Sequence, residues 1–168
     1  MKLAFEFLIL TCSRTSEVLD ADWDEFNLKD KVWSVPADRM KMKTVHMVPL
    51  SDRAIEILEL AKQFNNGPIV FPSRPSTPLS QMSLLMALRR MGHDEITVHG
   101  FRATFKTWAE ETTEFDSLVI EASMAHQVKG IERHYLRTTF LEQRRKLMNA
   151  WATYATASRA AKVVSIRA

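Results

Sequence analysis

Apolar residues recur at helical spacing over most of this chain and alternate in only one stretch. Leu3-Ala4-Phe5 and Phe7-Leu8-Ile9-Leu10, broken by Glu6, predict a first helix from about Leu3 to Thr11 with a buried face. A second helix is expected from Thr15 or Ser16 through Glu17-Val18-Leu19. Between residues 22 and 50 the period changes. Lys31-Val32-Trp33-Ser34-Val35-Pro36 alternates, and Val45, Met47 and Val48 follow. This predicts an antiparallel hairpin or three-stranded sheet whose connection holds Lys41. Ser51-Asp52 caps a helix carrying Ile55, Leu58 and Ala61 on one stripe, with Ile57 and Leu60 beside it.

Asn65-Asn66-Gly67-Pro68 reads as a turn, and Pro72, Pro75 and Pro78 among serines and threonine read as a surface loop. Ser80 opens another helix, which Gly92 closes. Helices follow over about 101–111 and 116–125. Thr139-Phe140-Leu141-Glu142 has the capping-box pattern and predicts a last long helix bearing Leu147, Met148, Trp151 and Tyr154. An Ala-rich tail completes the chain. The expected fold is α+β, mostly α-helical, a single domain with a small antiparallel β-sheet. Residues 1–155 form the domain and 156–168 the tail.

The 168 residues include 46% hydrophobic and 26% charged, which is globular composition. The longest apolar runs are about five residues, against about 20 for a membrane span. Lys2 and the apolar residues after it faintly resemble a secretion signal, but Glu6 interrupts them and a buried helix is the reading taken. Cys12 is the one cysteine, so no intramolecular disulfide exists and a reducing, cytoplasmic setting is expected.

Net charge is +3, with 23 basic and 20 acidic residues. Its distribution is more informative. Residues 129–146 carry six Lys or Arg against two acids, whereas 107–121 carry five acids and no Lys or Arg. This segregation fits one face that meets a polyanion, and equally a solvated basic helix face. The four glycines form no phosphate loop, and the five histidines form no zinc spacing.

Four places could carry chemistry: Arg14 between two helices, His99 with Arg102 three residues on, His126, and Tyr135 between His134 and Arg137. Taken singly, each has a plain structural explanation as a cap, a core histidine or a surface aromatic. In order they resemble the catalytic domain of the tyrosine recombinases, the phage-integrase family. Leu10 to Val18, including Ser13-Arg14-Thr15-Ser16-Glu17, resembles the first-arginine box. Met40-Lys41-Met42-Lys43 with His46-Met47-Val48-Pro49-Leu50 resembles the lysine hairpin. His99-Gly100-Phe101-Arg102 resembles the second-arginine box, Met124-Ala125-His126 stands where Leu-Gly-His is usual, and Tyr135-Leu136-Arg137 resembles the nucleophile box. Cys12 departs from the family, which has Gly there.

The resemblance implies site-specific cutting and rejoining of DNA strands through a 3′-phosphotyrosine. Tyr135 would be the nucleophile, Arg14 and Arg102 the phosphate clamp, and Lys41 the general acid. His99 would relay the tyrosine proton, His126 would bind the scissile phosphate, and Glu17 would support the site. Lys43 is the alternative to Lys41, two residues away and on the same side of a β-hairpin. No cofactor is needed, neither ATP nor metal. The partners implied are double-stranded DNA attachment sites, three further copies in a homotetramer, and accessory DNA-bending proteins, in the bacterial nucleoid. An N-terminal DNA-clamping domain is usual, so the chain reads as truncated. The competing readings are a type IB topoisomerase-like strand transferase, an inactive DNA-binding prophage remnant, and a helical interaction module that binds no nucleic acid.

Overall fold

The computed structural model describes residues 1–65, 67–74, 76–126 and 140–157. Helix α1 (Lys2–Thr11) ends at Cys12, whose left-handed φ of 52° turns the chain into α2 (Thr15–Leu19). A 3-10 turn (Trp23–Glu25) leads into a sheet of order β1 (Phe26–Asn27), β2 (Val32–Val35) and β3 (His46–Pro49), antiparallel throughout. Helix α3 (Asp52–Phe64) starts where expected, with the Ser51 hydroxyl accepting the Ala54 N–H. Helices α4 (Ser83–Arg90), α5 (Gly100–Thr112), α6 (Ser117–Ser123) and α7 (Leu141–Thr156) follow. The α+β, mostly helical expectation is met.

Two local expectations change. The proline-rich loop is a short ladder, β4 (Pro72–Arg74) against β5 (Thr77–Pro78), with Ser73 Oγ donating across it to the Thr77 and Pro78 carbonyls. Helix α4 begins at Ser83 rather than near Ser80, because residues 80–82 turn first and the Ser80 carbonyl accepts the Ser83 N–H. Helix α7 starts beside the expected capping box. Phe140 stands at the N-cap with φ of 51°, so the helix begins at Leu141 without a side-chain cap. Thr139 lies outside the described residues.

Two cores meet along α1. The first gathers Phe7, Leu8, Val18, Trp33, Val48 and Leu58 from α1, α2, the sheet and α3, and Phe71 from just before β4, with Phe7 tilted against Trp33 and Phe71 at 5.6 and 5.5 Å. The second joins Phe105, Ile120, Met124, Leu147 and Trp151 from α5, α6 and α7, with Cys12. Trp151 ties them: its indole N–H donates to the Ile9 carbonyl at 2.8 Å while its ring packs on Phe105 and Trp108. Tyr154 stacks on Trp108 and Trp151, as its place among apolar residues predicts.

Candidate active site

The site lies where the two cores touch, at the α1–α2 junction. Arg14 is the N-cap of α2, in extended conformation. Glu17, three residues on, has a side chain 2% exposed and serves both ends of Arg14. Its Oε2 accepts the Arg14 backbone N–H at 2.8 Å, closing the helix start, and its Oε1 accepts Nη1 at 2.7 Å. One buried carboxylate therefore caps α2 and aims a guanidinium.

Arg102, in the first turn of α5, is 3% exposed. Its Nη1 donates to the Cys12 carbonyl and its Nη2 to the Met124 carbonyl at 2.7 Å. It thereby joins the end of α1 to the end of α6. Its Nε–H is buried with no partner among the described residues. Burial lowers its pKa, and Arg14 adds repulsion. Two guanidiniums thus oppose one another beside an unmatched buried donor. Such a donor is costly unless an acceptor comes to it.

His126 follows Ala125, whose φ of 51° ends α6. Its Nε2 lies 3.3 Å from Arg102 Nη2, and its Nδ1 lies 2.6 Å from Glu121 Oε2. Lys106 donates to the other Glu121 oxygen. Burial pushes the Glu121 carboxyl up, but the hydrogen bonds from Lys106 and His126 outweigh it and hold the group below its ordinary value. The ionised carboxylate accepts a hydrogen bond from Nδ1–H and fixes the ring. His99 is the exposed N-cap of α5, and its carbonyl accepts the Arg102 N–H at 3.1 Å.

Lys41 is exposed in the connection between β2 and β3 and makes no hydrogen bond or ion pair with the described residues. That connection is a series of turns, so strand alternation does not align Lys43 with Lys41. Lys43 has φ of 52°, and its amine is tied back to the Asp38 carbonyl at 2.9 Å. Tyr135 lies outside the described residues.

Besides Glu121 and Lys106, two residues join the site that the sequence did not single out. His46 on β3 sits 3.4 Å from Arg144 Nη2, and Arg144 also donates to the Met47 carbonyl at 2.7 Å. Burial, then the charges of Arg144, Arg102 and Arg14, lower the His46 pKa to about 3. His46 is therefore a neutral ring within a field of three guanidiniums. Nothing local betrays this, since its partner is 98 residues away. Among the described residues no group of three or more His, Cys, Asp or Glu could hold a metal ion, and no helix is long and apolar enough to cross a membrane.

Known proteins share this arrangement of elements. The integrase from mycobacterium phage Brujita superposes with a TM-score of 0.66 at 19% identity, covering 87% of this chain and 50% of that one. The Tn1549 transposon integrase, solved in complex with a circular intermediate DNA, gives 0.59 at 12% identity, over 79% of this chain and 56% of that one. Prophage integrase IntA of Escherichia coli (strain K12) is 39% identical over 165 residues, which are 95% of this chain and 40% of the relative. The chain thus spans about two-fifths of that curated relative's length. Residues 1–142 match the phage integrase family. The chain belongs to the phage integrase family, the tyrosine recombinases.

Proposed function

We propose that residues 1–155 are the catalytic unit of a site-specific DNA recombinase that cuts and rejoins strands through a 3′-phosphotyrosine. The observation that carries this reading is the seat formed by Arg14 and Arg102. Two guanidiniums repel one another there, and the buried Arg102 Nε–H has no partner among the described residues. A phosphodiester supplies the missing acceptor and neutralises the repulsion. Charge grows on its non-bridging oxygens during attack, where fixed donors act most strongly.

The Tyr135 oxygen attacks phosphorus and forms the P–O(Tyr) bond, its proton passing to His99. The P–O5′ bond breaks, and Lys41 donates a proton to the departing 5′-oxygen. Lys41 suits this role better than Lys43 because its amine makes no hydrogen bond or ion pair with the described residues, while Lys43 is bonded within the loop. His126, fixed by Glu121, hydrogen-bonds the scissile phosphate beside Arg102. Attack by another 5′-hydroxyl reverses every step. The phosphate ester is conserved throughout, so rejoining needs no ATP. The partners are double-stranded DNA attachment sites, on which four copies assemble with accessory DNA-bending proteins. A DNA-clamping domain of the kind family members carry would add grip.

A suicide duplex, nicked so that the 5′-end diffuses away, tests this. With a pool of candidate attachment sequences, the chain forms a denaturation-resistant protein–DNA adduct that persists in EDTA and is lost in Tyr135→Phe. Folded chain that gives no adduct with any sequence, with or without a clamping domain fused to it, contradicts the proposal and leaves a DNA-binding remnant.

A further inference from the structure

The exposed Lys41 rides on a loop, and a general acid on a loop acts only if that loop is held in register with the phosphate seat. Residues 36–45 are a chain of turns: the Arg39, Met40 and Lys43 N–H groups donate to the Pro36, Ala37 and Met40 carbonyls at 3.2, 3.2 and 3.0 Å. These bonds shape the loop without attaching it to anything. Two side chains attach it. Met40, 2% exposed, plugs into the first core. Arg39 reaches across to the elements that build the Arg14 site. Its Nη2 donates to Glu25 Oε2 at 2.5 Å, and the same oxygen accepts the Trp33 indole N–H at 2.8 Å. Its Nη1 donates to the backbone carbonyl of Glu17 at 3.3 Å. Glu17 is the residue whose carboxylate orients Arg14. One guanidinium, two positions before Lys41, therefore bridges the lysine loop and the residue that aims the phosphate clamp.

Stability alone is a weak reason for this arginine. Its Nε–H is buried with no partner among the described residues, and a partly buried ion pair with an unmatched donor contributes little beyond what apolar packing would. Its geometry does what apolar packing cannot, because a planar fork satisfying two acceptors on two elements fixes distance and direction together.

We propose that Arg39 is a positioning residue for leaving-group protonation, registering the Lys41 loop on α2 so that the amine meets the 5′-oxygen of a phosphate held by Arg14. This rests on the strand-transfer reading above. It predicts a defect of a particular kind. A 5′-alkoxide leaves poorly without a proton, whereas a 5′-thiolate, from a thiol with a pKa of about 8.5, leaves without one. On a 5′-bridging phosphorothiolate Tyr135 still forms the P–O(Tyr) bond, the P–S bond breaks, and sulfur departs with the electron pair as thiolate. A loss of acid positioning is then erased, whereas a loss of phosphate binding or of fold is not.

The experiment uses the full chain and duplexes with one scissile linkage at a fixed position, either the ordinary phosphodiester or the 5′-bridging sulfur analogue, with randomised flanks. Wild type, Arg39→Gln, Arg39→Lys and Lys41→Ala are compared by adduct formation on denaturing gels. Arg39→Lys keeps a cation for Glu25 while losing the fork that also reaches the Glu17 carbonyl, so it retains the fold if Arg39→Gln does not. On the phosphodiester, the Arg39 variants slow about 10- to 100-fold, a partial loss of a general-acid contribution of about 10²- to 10⁴-fold. On the sulfur linkage they and Lys41→Ala return to near wild-type rate. Equal slowing on both linkages, or wild-type rate on the phosphodiester, overturns the assignment and leaves the strand-transfer reading standing. Wild-type chain that forms no adduct on either linkage overturns both.

Discussion

Arg14 owes its direction to Glu17, and that dependence can be measured. Glu17→Ala removes the cap of α2, worth about 1 kcal/mol of folding stability. In urea titrations the loss is of that size, while adduct formation falls more steeply, by about 10²-fold, because the guanidinium loses its aim. Equal wild-type and variant rates would show that Arg14 is oriented by other means. His46 gives a second residue-scale prediction. Its folded pKa of about 3 lies below its ordinary 6.5, so protonation favours the unfolded chain. The stability its neutral form contributes is complete above pH 6.5 and is lost as pH falls from there toward 3. At pH 5 the loss is at most about 2 kcal/mol relative to pH 7.5. Urea melts of wild type and His46→Gln at the two values test this, and the variant gives the flatter profile.

At the scale of elements, the turn at Cys12 and the seam at Trp151 hold the site together. Cys12 is buried, and burial pushes its thiol well above the ordinary value despite the nearby Arg102. A thiol reagent such as a disulfide dye therefore leaves the folded chain unlabelled and reacts once the α1–α2 junction opens. Rapid labelling in the absence of denaturant would show that the junction is loose. Trp151→Phe removes the indole bond to Ile9 and part of the contact with Trp108, costing about 1–3 kcal/mol and unseating α7 from α1. Helix periodicity made α3 and α5 legible, since each presents one apolar stripe, and the near-continuous apolar run Leu3–Leu10 made α1 legible. The start of α4 and the backbone conformation at the entry to α7 were not legible. Phe140 adopts a left-handed conformation that no local signal requires, and the residues after Ser80 turn before they coil. The site divides in the same way. Arg14, Glu17, Lys41, His99, Arg102 and His126 stand in recognisable local strings. His46, Arg144, Arg39 and Glu121 sit in ordinary strand, helix or turn sequence, and most of their partners lie well over ten positions away in the chain.

Across the whole molecule, charge and shape point the same way. At the start of α7, Arg144 reaches His46 and the Met47 carbonyl beside the seat, whereas the acidic residues of 107–121 spread over α5, α6 and their connection. The proposed function predicts an affinity for duplex DNA that rests on phosphate contacts and weakens as salt rises, by about tenfold or more between 50 and 200 mM. Fluorescence anisotropy across a salt series checks this; a flat response would contradict a polyanion-binding face. The central claim is that Tyr135 becomes joined to DNA, and its most direct test is to identify the modified residue. The trapped adduct is digested with trypsin and nuclease, and the nucleotide-bearing peptide is sequenced by mass spectrometry. The account predicts a nucleotide phosphate on Tyr135, in the peptide of residues 134–137 released by cleavage after Arg133 and Arg137. A nucleotide found on Tyr154, on Cys12 or on any other side chain would contradict it.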